Sequence, residues 1–266
     1  MKHGKILSTN GSWDDQVAKF VTYKNTDTWR TYCDRLTTQL LTRFGPATIG
    51  KRAMKTDLFD EAAGGGVAAA LNTVASQVFG TDLSATITET AHRKDRSLRV
   101  LQSDVRALPL ASDSFDFVLS NSTLDHFGNR DDVDRSVDEL HRILVPGGEL
   151  LITLDNPLNP VVALRSGLPL RLLRRSGAVP YDVGATLSMK RLVRLLESTG
   201  FRVEGTGTLM HVPRFFALHL AHWKDVRRQG GPDERAVAQM LRWEWLGRLP
   251  TRQFTAHFIV VRAVKL

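Results

Sequence analysis

Acidic side chains recur at the ends of short apolar runs in the first half of the chain, and their spacing suits one kind of ligand. Asp60 and Glu61 close the run KTDLF and lead into Ala62, Ala63 and three glycines, Gly64 to Gly66. QVFGTDLS ends on Asp82 with Leu83 beside it, and LRVLQSDVRALP ends on Asp104 with Val105 beside it. A carboxylate at the tip of a second strand can accept both hydroxyls of a ribose. One after a third strand can take an adenine amino group. Acids at three successive tips would repel a phosphate chain, so the set suits an adenosine ligand that lacks one. Glycine permits close backbone approach and positive φ, and a helix opening after it turns unpaired N–H groups toward the loop.

Such residues need strands to carry them. Apolar runs at residues 55–60 and 77–82, and in LRVLQSD, FDFVLSN and ELLITL, alternate with helix-forming stretches at 67–76, SATITETAHRKDR and RDDVDRSVDELHRIL. Near-continuous apolar strands separated by helices argue a parallel sheet covered on both faces. Right-handed crossovers then bring Asp60, Asp82, Asp104 and Asn121 to one edge. Upstream, Trp29, Tyr32, Cys33, Leu36, Leu40 and Leu41 keep helical spacing between a capping Asp27 and a stop at Gly45-Pro46. Trp13, Tyr23, Trp29 and Tyr32 either contact the ligand or pack on the core, and packing is the favoured role.

Downstream of Asn156 the pattern loosens into a proline- and glycine-punctuated insert at 158–185. SMKRLVRLLESTGF, VPRFFALHLAHWKDVRR and ERAVAQMLRWEWLGRL read as helices, and FRVEGTGTLMHV and TAHFIVVRAVKL as strands. The expectation is an α/β, Rossmann-like, doubly wound and mostly parallel seven-stranded sheet. A helical N-terminal cap covers residues 1–54, the main domain runs 55–266, and a helical elaboration spans about 213–248.

DEAAGGG, GTDLS, SDVRALP, SFDFVLSNSTLDHF and LHRILVPGGELLITL, in that order, resemble class I S-adenosylmethionine-dependent methyltransferases of the small-molecule, ubiquinone- and menaquinone-methylating type. The resemblance covers about Lys55 to Asn156. The family loop reads acid-x-Gly-x-Gly-x-Gly, so Asp60 is followed here by Ala62, Gly64 and Gly66. It implies S-adenosyl-L-methionine as cofactor, held by Asp60, Glu61, Ala62, Gly64, Gly66, Asp82, Leu83, Asp104, Val105 and Asn121. It also implies a final antiparallel strand, and methyl transfer to an O, N or C nucleophile of a small-molecule acceptor.

His126, after the fourth strand, is the candidate catalytic base, since a pKa near 6.5 suits proton transfer. Lining or packing the pocket is its competing role. Asp125 is its neighbour, but adjacent residues in a helical turn face apart. His211, Tyr181 and Asn156 are further acceptor-side candidates, and no histidine and acid spacing suggests a metal site.

The 266 residues carry net charge +8, unevenly: residues 157–266 hold 18 Lys and Arg against 7 Asp and Glu, while residues 1–156 hold 18 against 21. The basic half permits an anionic or lipid-like acceptor and contact with a membrane surface through Arg165, Arg171, Arg174 and Arg175; a solvated face is the plainer alternative. A nucleic-acid methyltransferase is disfavoured because no NPPY-type, zinc or catalytic-cysteine motif occurs. A nicotinamide-dependent oxidoreductase remains an alternative, because Gly64 to Ala69 satisfies G-x-G-x-x-A. A non-catalytic binding module is another. A single cysteine, no signal-like N-terminal stretch and no apolar run of about 18 residues make a cytoplasmic protein the expectation.

Overall fold

The computed structural model describes residues 27–46, 50–167, 184, 186–228 and 230–266. Trp13, Tyr23, Arg171, Arg174, Arg175 and Tyr181 lie outside them. Apolar runs become the strands Arg52–Lys55 (β1), Gln77–Asp82 (β2), Arg99–Gln102 (β3), Phe115–Asn121 (β4) and Leu144–Asp155 (β5), all parallel. Phe201–Leu209 (β6) and Phe258–Lys265 (β7) complete one seven-stranded sheet in the order β3-β2-β1-β4-β5-β7-β6. β7 runs antiparallel to both neighbours, as the family resemblance implied. The strand order reverses between β1 and β4, and open sheets of this kind bind ligands at that point.

Helices cover both faces. Asp27–Phe44 (α1) lays Tyr32, Leu36 and Leu40 on the face that also buries Phe117, Leu119 and Leu151, so its stripe packs the core. Phe59–Ala63 (α2) and Ala68–Leu71 (α3) follow β1, and Ala85–Lys94 (α4) follows β2. On the other face, Arg130–Ile143 (α5) buries Val133, Val137 and Leu140, joined after Pro160–Gly167 (α6) by Leu192 and Leu196 of Met189–Thr199 (α7). Arg214–Val226 (α8), Glu234–Arg242 (α9), a 3₁₀ turn over Trp243–Arg248 and Arg252–Thr255 (α10) lie between β6 and β7.

Three local expectations are corrected. β1 is Arg52–Lys55 rather than residues 55–60, sharing only Lys55 with the expected run: Lys55 turns inward to an ion pair with Glu61, and residues 59–63 wind into α2. The helix expected over 67–76 is a single turn, α3, in which only Ala68 and Leu71 are buried; so little packing sustains no more. Pro146-Gly147-Gly148 does not precede β5 but bulges within it, the register slipping between Phe115 and Phe117.

Candidate active site

The carboxyl ends of β1, β2 and β4 gather the acids. Beyond Lys55 the chain passes Asp57, which takes the place at the strand tip expected for Asp60. Asp60 and Glu61 sit one turn later in α2, which Gly64 closes at φ 100°, a conformation that favours glycine. Gly66, at φ 94°, donates its N–H to Asp34 Oδ1 of α1 at 2.7 Å, so the helical cap reaches directly onto the glycine loop. Glu61 points inward. It meets Lys55 Nζ at 2.6 Å and accepts the N–H groups of Val67 and Ala68 at 3.1 and 3.3 Å, capping α3 from within.

Those contacts set the electrostatics. Burial and neighbouring carboxylates push Asp57 and Asp60 up to about 6, and burial with the same crowding lifts Asp34 to about 6 against its bond from Gly66. Asp82 is raised by burial, although it accepts Ser84 N–H at 2.9 Å and Leu58 N–H at 3.2 Å. Burial works against the ammonium of Lys55, yet Glu61, Asp57 and Asp60 hold it protonated above its ordinary range. Carboxylates crowded this way favour a cation and oppose a phosphate. The amino end of α3, where a pyrophosphate would sit, is already filled by Glu61.

Asp82 and Asp104 occupy the ends of β2 and β3 as expected. Asp104 is gripped through both oxygens by the Arg106 fork, whose Nε lies 2.9 and 3.0 Å away. Burial would raise its pKa, but that fork holds it below the usual range. Arg106 also reaches Asp132 at 3.1 Å and lies 4.9 Å over the Phe127 ring. Asn121 closes β4, its Oδ1 accepting Thr153 Oγ1 at 2.7 Å. Leu83 is half-buried and its carbonyl accepts Gln102 Nε2 at 3.2 Å, while Ala62 and Val105 are buried in the two cores.

The chain after β4 turns sharply: Ser122 holds φ 52°, a conformation a non-glycine residue adopts at a cost of order 1–3 kcal/mol. A 3₁₀ turn over Leu124–His126 follows. His126 is half-buried, with Nε2 4.0 Å from Asp125 Oδ1. The two adjacent side chains therefore lie closer than helical geometry suggested. Asp125 is buried; its Oδ2 accepts Ser122 Oγ at 2.9 Å and Asp155 N–H at 3.0 Å, while Oδ1 has no hydrogen-bond partner among the described residues. Burial and then Asp155 push Asp125 up to about 6. Asp155, at the end of β5, lies 3.3 Å from His257 Nε2. A second acid–histidine group thus stands beside the first. His126 lies close enough to act electrostatically on both Asp57 and Asp125.

Two acceptor-side candidates belong instead to the packing. His211 is buried with Nδ1 2.7 Å from Thr255 Oγ1 and Nε2 3.2 Å from Thr208 Oγ1, and burial lowers its pKa to about 4. Asn156 is buried and donates to the carbonyls of Gln253 and Ala256 at 2.6 and 2.9 Å. Sequence reasoning missed Asp34, Asp57, Asp155 and His257. Only Asp57 left a local trace, an acid three residues before Asp60.

Residues 60–152 match the methyltransferase domain family. With the sheet order and acid-lined edge, residues 60–152 form a methyltransferase domain on the fold shared by class I S-adenosylmethionine-dependent methyltransferases. A malonyl-[acyl-carrier protein] O-methyltransferase of Enterobacter lignolyticus is 39% identical over 77 residues, 29% of this chain and 30% of that protein. The chain thus spans under a third of that relative's length. The structure of an S-adenosylmethionine-dependent methyltransferase from Mesorhizobium loti is similar at TM-score 0.55 and 19% identity, covering 85% of this chain and 96% of the other. A geranyl diphosphate methyltransferase in complex with S-adenosylmethionine is similar at TM-score 0.52 and 15% identity, covering 88% and 85%.

Proposed function

We propose that the protein transfers a methyl group from S-adenosylmethionine to an oxygen, nitrogen or carbon nucleophile of a small, anionic acceptor. The observation that carries this reading is the excess of carboxylates at the glycine loop. Asp34, Asp57, Asp60 and Asp82 face a region whose buried cation, Lys55, already belongs to Glu61. A ligand bearing an ammonium and a sulfonium completes that charge balance. Asp82 would hold the ribose, Gly64 and Gly66 would let the loop approach, and Asn121 with Asp104 would flank the base. The cofactor supplies an activated methyl group; positioning the acceptor in line with it is the protein's main task, which contributes roughly 7–11 kcal/mol in well-aligned cases.

On the acceptor side we assign His126 as the base when the nucleophile is a hydroxyl, with Asp125, itself fixed by the Asp155 N–H, orienting its ring. A carboxylate acceptor, as the name of the Enterobacter relative suggests, is already ionised at neutral pH and needs no base. The described end of the insert supports acceptor enclosure: Gly184 donates to the Asp125 carbonyl at 3.0 Å, so close that a Cβ there would strike the carbonyls of Asp125 and Phe127. We take the expected cap of residues 1–54 to end where β1 opens at Arg52, with the catalytic domain running from there to residue 266, working in the cytoplasm, as the single cysteine suggests. The test is a mass-shift screen of carboxylate, hydroxyl and amine acceptors with isotope-labelled cofactor. Labelled product from an anionic small molecule supports the reading. Tight binding of a nicotinamide dinucleotide, with none of the sulfonium cofactor, would overturn it.

A further inference from the structure

The helix α8 is built inside out. Residues four apart on its inner face are small or polar, Ala217, Ala221 and Asp225, and all three are buried. Asp225 anchors that face by accepting both the N–H and the hydroxyl of Thr28 in α1. The bulky residues point the other way: Phe215 is 71% exposed, Phe216 52%, Trp223 47% and Val226 58%. A helix of a soluble domain ordinarily buries such residues and exposes the small ones. The outward face continues into the 3₁₀ turn, where Trp245 is 57% exposed. Between them runs a groove of about 500 Å³ lined by Phe216, Leu220, Met240, Trp243, Trp245 and Leu246.

Charge around this face has one sign. Arg227, Arg228, Arg235, Arg242 and Arg248 are exposed. Of the acids between Arg214 and Arg252, Asp225 is buried, Asp233 is buried 3.6 and 3.8 Å from Lys224 and Arg228, Glu244 is turned in to the N–H groups of Met210 and His211, and Glu234 pairs with Arg35 at 2.7 Å, which leaves Arg227, Arg235, Arg242 and Arg248 to set the sign. Arg227 stacks 3.8 Å over Trp223, and Lys224 stands 5.2 Å from the same ring. Tryptophan and phenylalanine framed by arginine match the headgroup level of a bilayer, where rings sit at the apolar boundary and guanidinium groups reach phosphates.

We propose that this face of α8 and the Trp243–Arg248 turn seats the protein on an anionic lipid surface. At 13 residues, α8 is too short to cross a bilayer, and no helix among the described residues is long and apolar enough to do so. The helix lies in the surface plane. A second copy of the chain fits this face poorly, because a two-fold contact would oppose one arginine rim to another.

The full chain is incubated with vesicles of phosphatidylcholine alone and of phosphatidylcholine with phosphatidylglycerol, then floated through a density gradient. It floats with the anionic vesicles, and binding falls as salt rises. The double variant Phe216→Ser/Trp245→Ser, which removes exposed rings, lowers partitioning by about tenfold or more. Arg227→Glu/Arg242→Glu removes the preference for phosphatidylglycerol. Both variants keep wild-type cofactor binding and melting temperature, which shows that they fold. Absence of flotation, or unchanged flotation by both variants, overturns the proposal. So does a concentration-dependent dimer that the serine variant abolishes, since the face is then an interface between copies. A serine variant that raises the Michaelis constant for a soluble acceptor without vesicles also overturns it, by making the groove part of the acceptor pocket.

Discussion

Two clusters of carboxylates occupy the same sheet edge and are built by opposite means. At the glycine loop, Asp57, Asp60 and Glu61 come from one short stretch after β1, with Asp82 from the neighbouring strand and Asp34 from the cap. Beyond β4, Asp125, Asp155 and His257 come from positions up to 132 residues apart, brought together because β5 and β7 pair antiparallel with Asp155 opposite Phe258. The first cluster holds more carboxylates than its one buried cation, Lys55, balances. The second pairs each carboxylate with a histidine and suits proton traffic. A cofactor with a fixed positive charge needs only the former; an acceptor that must lose a proton needs the latter.

The sharpest break in that comparison is at His126. His126→Ala lowers methyl transfer to a hydroxyl acceptor by roughly 10²–10⁴-fold and leaves cofactor affinity intact. Single-turnover rates beside calorimetry separate the two effects, and a loss of cofactor binding of similar size would show that the clusters are not distinct. Next in size is Lys55→Met. It leaves Glu61 buried without its partner at 2.6 Å and costs about 3–5 kcal/mol of stability, read from chemical denaturation. Lys55→Met/Glu61→Gln recovers most of the loss, because the uncompensated charge goes with it. Smaller again is Asp82→Ala, which weakens cofactor binding by about 1–3 kcal/mol by leaving ribose hydroxyls without an acceptor. Equal weakening by Asp155→Ala would erase the division of labour.

The sequence made the glycine-loop cluster readable because its parts are local. Strand, acid and glycine lie within a dozen residues, and β2 and β4 occupy the expected residues 77–82 and 115–121. What local pattern could not show was the inward turn of Lys55. That turn closes a strand set upstream of the expected run, at Arg52–Lys55, and leaves Asp57 rather than Asp60 at the tip; it depends on a side-chain pair rather than on hydropathy. Asp34 carried no signal, since an acid on an amphipathic helix reads as solvated until α1 is laid over the loop. His257 and Asp155 meet only through β7, whose position beside β5 is a property of the whole sheet. His211 misled for the converse reason: hydroxyls at Thr208 and Thr255, 3 and 44 residues away, satisfy it inside the core.

The gentlest test of the comparison is pH. Asp34, Asp57 and Asp60 each titrate near 6 in the folded protein, above an unfolded value of 3.8. Below pH 3.8 each is protonated in both states and affects stability equally. Between 3.8 and about 6 the folded state holds protons the unfolded chain has released, so the ligand-free protein loses stability as pH rises through that window. A cationic cofactor reverses the preference by favouring ionised carboxylates. Its affinity therefore rises between pH 5 and 7, by up to about tenfold per pH unit for each proton displaced, and binding at pH 6 releases protons. Calorimetry in two buffers of different ionisation enthalpy reads the proton count, and the melting-temperature gain on adding cofactor grows across the same range. Asp34→Asn flattens the slope, whereas Asp125→Asn, in the other cluster, leaves it unchanged. A slope lost in Asp125→Asn alone would place the cofactor's positive charge at the acceptor cluster and invert the roles assigned to the two, while an affinity independent of pH would show that the cofactor displaces a proton from neither.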